Sequence, residues 1–433
     1  MSAYFLKSFY FLLLLSLLAS GISVTLKNSS ENGQAKCIER ERQALLNFKV
    51  GLKDLGMLST WTNNTDCCKW ERIQCNHQTG HVQLLDLHGD NDYTQYLRGP
   101  INVTSLIHLQ YIQHLDLSHN DFAGTYIPDF MGFTNLRYLR LSNSYFAGTI
   151  PSKLGDLSQL RYLNLRDSIL WGEIPIQIGN LKLLQYLDLG GYYLSGKIPY
   201  QIGNLRKLRY LSIGGNYGEI TSYNISNSLS GAIPFQIGNL PLLHTLRLGG
   251  NFDIKGKDAQ WLSSLHSLTV LELTSLHYLG SSRQWLQTIS KIIPNLTELR
   301  LVDCNLLDID IQSLFHSRSS NNSISLTILD LSSNMLTSST LQLLFNFGLH
   351  LQELYLPHNN IALSSSLCPN FPSLKILDLS YSNLASSMSL GNSNISSKLQ
   401  ELHLGSSSLI DRNLLISSTS TTNSLSSLLH IDL

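Results

Sequence analysis

From Leu136 the chain reads L-R-Y-L-R-L, and the same spacing of apolar positions returns at Leu160, Leu184 and Leu208, in steps of 24 residues. The frame recurs at Leu243, Leu268, Leu296, Leu326, Leu351, Leu374 and Leu399, upstream at Ile112 and more weakly at Val82. A last copy opens at Leu428 and stops at Leu433, which makes 14 in all. Within L-x-x-L-x-L the final two leucines alternate with polar residues, the period of a strand with one buried face. A unit this small cannot bury its own leucines. It has to stack on its neighbours, one coil per repeat. The pattern therefore predicts a solenoid of the α/β horseshoe kind, a right-handed superhelix with a parallel concave sheet. Its strands step by about 4.8 Å, and its x positions line the inner surface.

The remainder of each repeat supports this. A turn position follows the strand and holds Asn120, Asn216, Asn251, Asn334 and Asn359, where a buried amide can bond backbone groups of the turn. Ser144, Ser168, Ser382 and Cys304 occupy it elsewhere and offer only part of that bonding. A G-x-I-P element comes next, from Gly148, Gly172, Gly196 and Gly231 to Pro151, Pro175, Pro199 and Pro234. The glycine permits a tight backbone, and the proline is expected to keep a helix from starting. From Leu243 onward the element is missing and the steps vary from 23 to 30 residues, with short helices expected around Trp261 and Trp285. The step from Leu208 to Leu243 is 35, about 11 residues longer than a regular coil, and the extra stretch is expected near Thr221 to Ser230. It reads either as a tolerated loop insertion or as a contact loop on one rim.

Composition adds an export signature. Lys7 precedes an apolar run from Phe9 to Leu18, followed by small Ala19, Ser20, Gly21 and Ser23, the order of a signal peptide over residues 1–23. The run is shorter than the roughly 20 residues that span a bilayer, and no later segment is apolar enough to do so. Seven Asn-x-Ser/Thr sequons, at Asn28, Asn63, Asn102, Asn224, Asn295, Asn321 and Asn394, fit a secreted glycoprotein. Cys37, Cys67, Cys68 and Cys75 cluster and read as disulfides, for which three pairings are open, although a bond between adjacent Cys67 and Cys68 would close a strained ring. Cys304 and Cys368 read as unpaired buried thiols. Charged residues are 14% of the chain and the formal net charge is zero, which gives no argument for nucleic acid.

The frame L-x-x-L-x-L-x-x-N-x-L-x-G-x-I-P is similar to the plant-type leucine-rich repeat. The segment C-I-E-R-E-R-Q-A-L-L-N-F-K from Cys37, with L-S-T-W at Leu58 and D-C-C-K-W-E-R-I-Q-C from Asp66, resembles its N-terminal cap. That places a disulfide-bonded cap at residues 24–81 and the leucine-rich repeats at 82–433, the last one truncated. The resemblance implies the pairing Cys37–Cys67 and Cys68–Cys75. Leu45, Phe48 and Leu52 would share one face of a cap helix, with Trp61 and Trp70 adding apolar cover. The stretches N-F-D-I-K-G-K-D-A-Q-W-L from Asn251 and R-Q-W-L-Q-T-I-S-K-I-I-P-N-L-T-E-L from Arg283 look like plant receptor-like proteins of the ethylene-inducing xylanase receptor group. Those have a long repeat ectodomain, one membrane helix, a short tail and no kinase. The resemblance implies the N-terminal part of such an ectodomain at the extracellular face of the plasma membrane. It would bind an extracellular protein, peptide or glycan and signal in defence or development through a co-receptor kinase. Any membrane attachment would lie outside this chain, which breaks off inside a strand as a fragment or truncated product would. Two other readings stand beside it: a secreted inhibitor similar to polygalacturonase-inhibiting proteins, and the ectodomain of a receptor kinase.

The candidate binding surface is the concave face. Tyr138, Tyr162, Tyr186 and Tyr210 share one x position in four successive coils, and Arg140 and Asp188 belong to the next column, with Arg166 just beyond it. From Arg137 to Tyr210 there are ten Lys/Arg against four Asp/Glu. Such a surface can hold a peptide or a sugar polymer, since tyrosine gives contact area at low entropy cost and arginine pairs with carboxylates. The plainer alternative is that the tyrosines pack along the sheet. No catalytic motif is present: no H-E-x-x-H, no G-x-S-x-G, no P-loop and no kinase signature. His77 and His81 lie near Cys75 but lack a fourth ligand for zinc. Neither metal, cofactor nor enzymatic activity is expected.

Overall fold

The computed structural model describes residues 35–432 except 91–93, 215–226, 316–324, 362–370, 383–395, 406–429 and the positions 129, 131, 192, 255–256, 348 and 397. The signal peptide, the sequons at Asn28, Asn224, Asn321 and Asn394, and Asn216 and Cys368 lie outside the described residues. From Lys36 onward the chain forms one unit.

Its spine is a 15-stranded sheet. One antiparallel cap strand, Ile73–Cys75, pairs with Val82–Asp86, and 13 further strands follow in chain order, all parallel, ending at His430–Asp432. Equivalent residues sit side by side: Leu139 faces Leu163, then Leu187, then Leu211, and Tyr138 faces Tyr162, Tyr186 and Tyr210. The leucine column is fully buried, and each such side chain contributes about 1.5–3 kcal/mol by leaving water.

A second sheet, which the repeat pattern did not suggest, runs beside the first. Its five parallel strands are Ala147–Gly148, Ile169–Gly172, Tyr193–Gly196, Ser228–Gly231 and Asn251–Phe252. Leu170, Leu194 and Leu229 point inward from it. Gly148, Gly172, Gly196 and Gly231 end these strands at φ of +87, +83, +78 and +80, a conformation closed to most side chains. The prolines that follow do not keep helices away. Pro151, Pro175, Pro199 and Pro234 each stand immediately before a 3-10 helix: Ser152–Asp156, Ile176–Asn180, Tyr200–Asn204 and Phe235–Asn239. Proline lacks an N–H and has its φ preset near −65, so it suits a helix start and is excluded only from the interior. Coils lacking G-x-I-P carry α-helices instead, Arg283–Ile292, Asp308–Phe315 and Ser339–Asn346, and a 3-10 helix at Lys257–Ser264 includes Trp261. A helix closes its backbone bonds internally, and the second sheet ends at Asn251–Phe252, before the coils that carry the α-helices.

The turn position builds a buried ladder. The Asn120 amide donates to the carbonyls of Leu87, Leu117 and Ser118 at 2.8, 2.9 and 3.1 Å and accepts from Leu97 N at 2.7 Å, tying adjacent coils together. Asn334 and Asn359 repeat this. Ser144 and Ser168 only donate, to Leu117 O and Leu141 O. Buried Cys304 reaches Leu273 O and Val302 O and is free of disulfides. Asn251, expected in the ladder, is exposed. Buried Asn227 does serve there, accepting from Leu194 N at 3.0 Å. Ser228–Gly231 is a regular strand of the second sheet, so the last four residues of the stretch expected to be extra, Asn227 to Ser230, belong to a regular coil, and the rest of it lies outside the described residues.

The cap helix spans Glu39–Lys49 and buries Ala44, Leu45 and Phe48. Leu52 lies beyond its end. Stacked Trp61 and Trp70 cover the solenoid end, and the disulfides are Cys37–Cys67 and Cys68–Cys75.

Candidate functional site: the concave sheet

The in-register strands bring the predicted tyrosines into a continuous ring stack. His114 begins it, 4.0 Å from Tyr138, and Tyr138, Tyr162, Tyr186 and Tyr210 follow at centroid spacings of 4.2 Å and interplanar angles of 8–12°. Each contact adds about 0.5–1.5 kcal/mol. The ring faces are thus spent on one another, and Tyr162 is buried. The hydroxyls of Tyr186 and Tyr210 both donate to Asp188 Oδ2, at 3.3 and 3.4 Å. Burial pushes the Tyr210 hydroxyl well above its ordinary pKa, and the Asp188 charge adds to this.

The other predicted residues form a lattice of opposite charges across the sheet. Arg140 is 3.7 Å from Asp116, and Arg166 is 3.0 Å from Asp167 and 3.8 Å from Asp188. The lattice continues through residues that sequence reasoning missed. Arg247 lies 3.3 Å from Glu272 and 3.9 Å from Glu298, and Arg300 lies 2.9 Å from Asp330 and contacts Glu298. Burial disfavours the charge on Arg166, Arg247 and Arg300, yet the surrounding carboxylates outweigh it and raise all three pKa values. Arg247 also sits over the Tyr210 ring and Arg300 over Tyr355. The signal that could have found them is the x position two residues after each tyrosine, read past Tyr210 into the irregular coils.

Further along, Glu298, Glu353 and Glu401 alternate with Ile328 and Ile376 in one column, with Asp330 and Asp378 beside them. The face therefore changes from aromatic near the cap to acidic beyond. Asp86, His88 and Asp116 come close enough to suggest a cation site. Asp116 is already engaged by Ser118 N at 2.9 Å, Ser118 Oγ at 2.6 Å and Arg140, so the guanidinium supplies the positive charge there. His81 pairs with Glu41 at 2.7 Å. Of the sequons within the described residues, Asn63, Asn102 and Asn295 are exposed.

A family model described as a leucine-rich repeat region matches residues 115–416, and one described as a leucine rich repeat N-terminal domain matches residues 38–76. The chain belongs to the leucine-rich-repeat family. Within it, the similarity runs to plant receptor-like proteins. Receptor-like protein EIX2 of Solanum lycopersicum is 45% identical over 111 residues, covering 24% of this chain and 11% of that protein. Receptor-like protein EIX1 of the same plant is 43% identical over 110 residues, covering 22% and 10%. The matches thus span only about a tenth of these relatives' own length. Among solved structures, the ectodomain of the Arabidopsis thaliana receptor kinase GASSHO1/SCHENGEN3, in complex with CASPARIAN STRIP INTEGRITY FACTOR 2, aligns with a TM-score of 0.59 and 27% identity over 90% of this chain and 44% of that one. The Arabidopsis receptor kinase HAESA ectodomain, in complex with an IDA peptide hormone, aligns with a TM-score of 0.53 and 25% identity over 84% and 53%.

Proposed function

We propose that this chain is the recognition part of a plant cell-surface receptor-like protein. It holds an extracellular elicitor, peptide or glycan against the concave sheet and reports it, in defence or development, through a partner kinase. The observation that carries this reading is the in-register sheet, whose outward positions hold polar and aromatic side chains fixed by one another. A surface already ordered loses little entropy when a ligand arrives. The similarity to receptor-like proteins, and the peptide complexes formed by two receptor kinases of the same fold, point the same way. The exposed sequons and the expected signal peptide fit the extracellular face. Among the described residues no helix is long and apolar enough to cross a membrane. The reading requires recognition alone, without a cofactor.

The test is co-immunoprecipitation from leaf tissue expressing the tagged chain, with and without a purified fungal xylanase. Solution binding to the same xylanase is measured in parallel, using wild type and Arg140→Ala and Arg247→Ala variants. Elicitor binding that the variants weaken, together with capture of a membrane kinase, is expected. Inhibition of a microbial polygalacturonase with no kinase captured would replace this reading with the secreted-inhibitor one.

A further inference from the structure

Two sets of cations stand out along the solenoid. Arg140, Arg166, Arg247 and Arg300 stand on the sheet and are paired with carboxylates. A second set sits on the rim where each coil turns into its strand. These are Arg137, Arg161, Lys182, Arg206, Lys207 and Arg209. Lys182 donates to Gly179 O and Arg206 to Asn239 O, both at 2.7 Å, and among the described residues none of the six pairs with a carboxylate.

Backbone bonds hold these positions in line. Arg161 N donates to Arg137 O, Gln185 N to Arg161 O, and Arg209 N to Gln185 O, each at 2.8 Å. The rim segments 134–138, 158–162, 182–186 and 206–210 contain six Lys/Arg and no Asp/Glu. At about 4.8 Å per coil, the six charges spread over roughly 14 Å along the solenoid axis. The next coils end the patch, because 241–245 and 266–270 contain no Lys or Arg.

We infer that this rim is a docking track for a linear acidic polysaccharide, separate from the ligand surface of the sheet. Like charges so close repel one another and favour a counter-charge that repeats along the same line. A peptide partner normally seats large apolar anchors in pockets. The rim segments have none: the exposed large apolar side chains nearest in sequence, such as Tyr145, Ile176, Tyr193 and Tyr200, fall outside them. A polymer with one carboxylate per sugar and hydroxyls between them matches arginines, lysines and the polar Asn135, Gln159 and Gln185 among them.

The experiment uses the secreted, glycosylated chain and immobilised polygalacturonate. The comparison polymers are fully methyl-esterified polygalacturonate and poly-glutamate. The rim variant is Arg137→Gln/Arg161→Gln/Arg209→Gln. Its control, Lys53→Gln/Lys291→Gln/Lys398→Gln, removes the same charge from other exposed sites. Circular dichroism and thermal unfolding verify that both variants fold. The expected result is polygalacturonate binding that weakens as salt is raised. The rim variant should weaken it by about tenfold or more, three solvent-screened contacts each supplying two- to fivefold, and the control by less than about threefold. Equal binding of the esterified polymer, equal or tighter binding of poly-glutamate, or equal loss in both variants would overturn the inference. Xylanase binding measured on the same rim variant keeps the two surfaces apart, since loss at the rim should leave the sheet's ligand bound.

Discussion

Asn334→Ala tests the turn ladder at its best-bonded rung. Asn334 donates to Leu301 O, Leu331 O and Ser332 O at 2.7, 2.9 and 3.1 Å. Its Oδ1 accepts from both Cys304 N and Leu306 N at 3.0 Å. Alanine strands those two amides in the previous coil. A buried donor without an acceptor costs about 1–3 kcal/mol, so the pair sets a range of roughly 2–6 kcal/mol. Water entering the vacated space offsets part of it, and about 3 kcal/mol is expected. Asn334→Ser should fall between alanine and wild type, because the serines of this ladder donate to carbonyls without accepting, as Ser144 and Ser168 do. Two measurements serve: urea unfolding of the secreted chain, and hydrogen exchange at the amides of Cys304 and Leu306. Coils contact only their neighbours, so exchange should rise there and remain near wild type in the cap. Alanine and serine variants within about 0.5 kcal/mol of wild type, with both amides still protected, would refute the claim that this asparagine joins the coils.

Further outcomes follow from the packing. Gly203→Ala should cost about 1–3 kcal/mol by urea unfolding, because its Cβ would fall 2.4 Å from Gln236 O and 2.6 Å from Gln236 Cβ. Gly51→Ala has no atom within 4 Å but a φ of +93, so strain alone should cost about 1 kcal/mol. Glu41→Ala should release the cap from the first coil at about 2–4 kcal/mol, since buried Glu41 accepts from Val82 N at 2.7 Å and contacts His81, and limited proteolysis between residues 37 and 81 reads this directly. Two histidines should titrate on opposite sides of 6.5 by NMR: His88 above it, through its hydrogen bond to Asp86, and His114 below it, through burial in the ring stack. The stabilisation from His88 is present below 6.5 and fades as pH rises through its folded value. Folding makes His114 harder to protonate, so its contribution holds above 6.5 and is lost as pH falls toward its folded value. Identical titration of the two would contradict the environments described.

The repeat frame was legible because each coil spends its leucines in one way, at L-x-x-L-x-L, and fourteen copies leave little choice of fold. The tyrosine column was legible for the same reason: a constant step of 24 residues puts equal positions in register. The second sheet was not, because x-L-x-G is a two- to four-residue strand that has no partner until coils stack. Nor were the Gly155, Gly179, Gly203 and Gly238 contacts, where the next coil's backbone closes to 2.4–2.7 Å of an added Cβ. The I-G-N-L repeats at Ile178, Ile202 and Ile237 carried that signal, although nothing local to them requires a glycine.

Local spacing thus determined the coil, its stacking and which residues face inward, since burial of apolar side chains depends on period alone. Tertiary structure decided what the outward residues do. It turned the tyrosines edge-out by stacking them on one another, matched sheet arginines to carboxylates 22 to 51 positions away, as with Arg247 to Glu272 and Glu298, and, among the described residues, left the rim cations without a carboxylate partner. Those outcomes depend on which side chains lie one or two coils apart, distances the chain acquires only when it is wound.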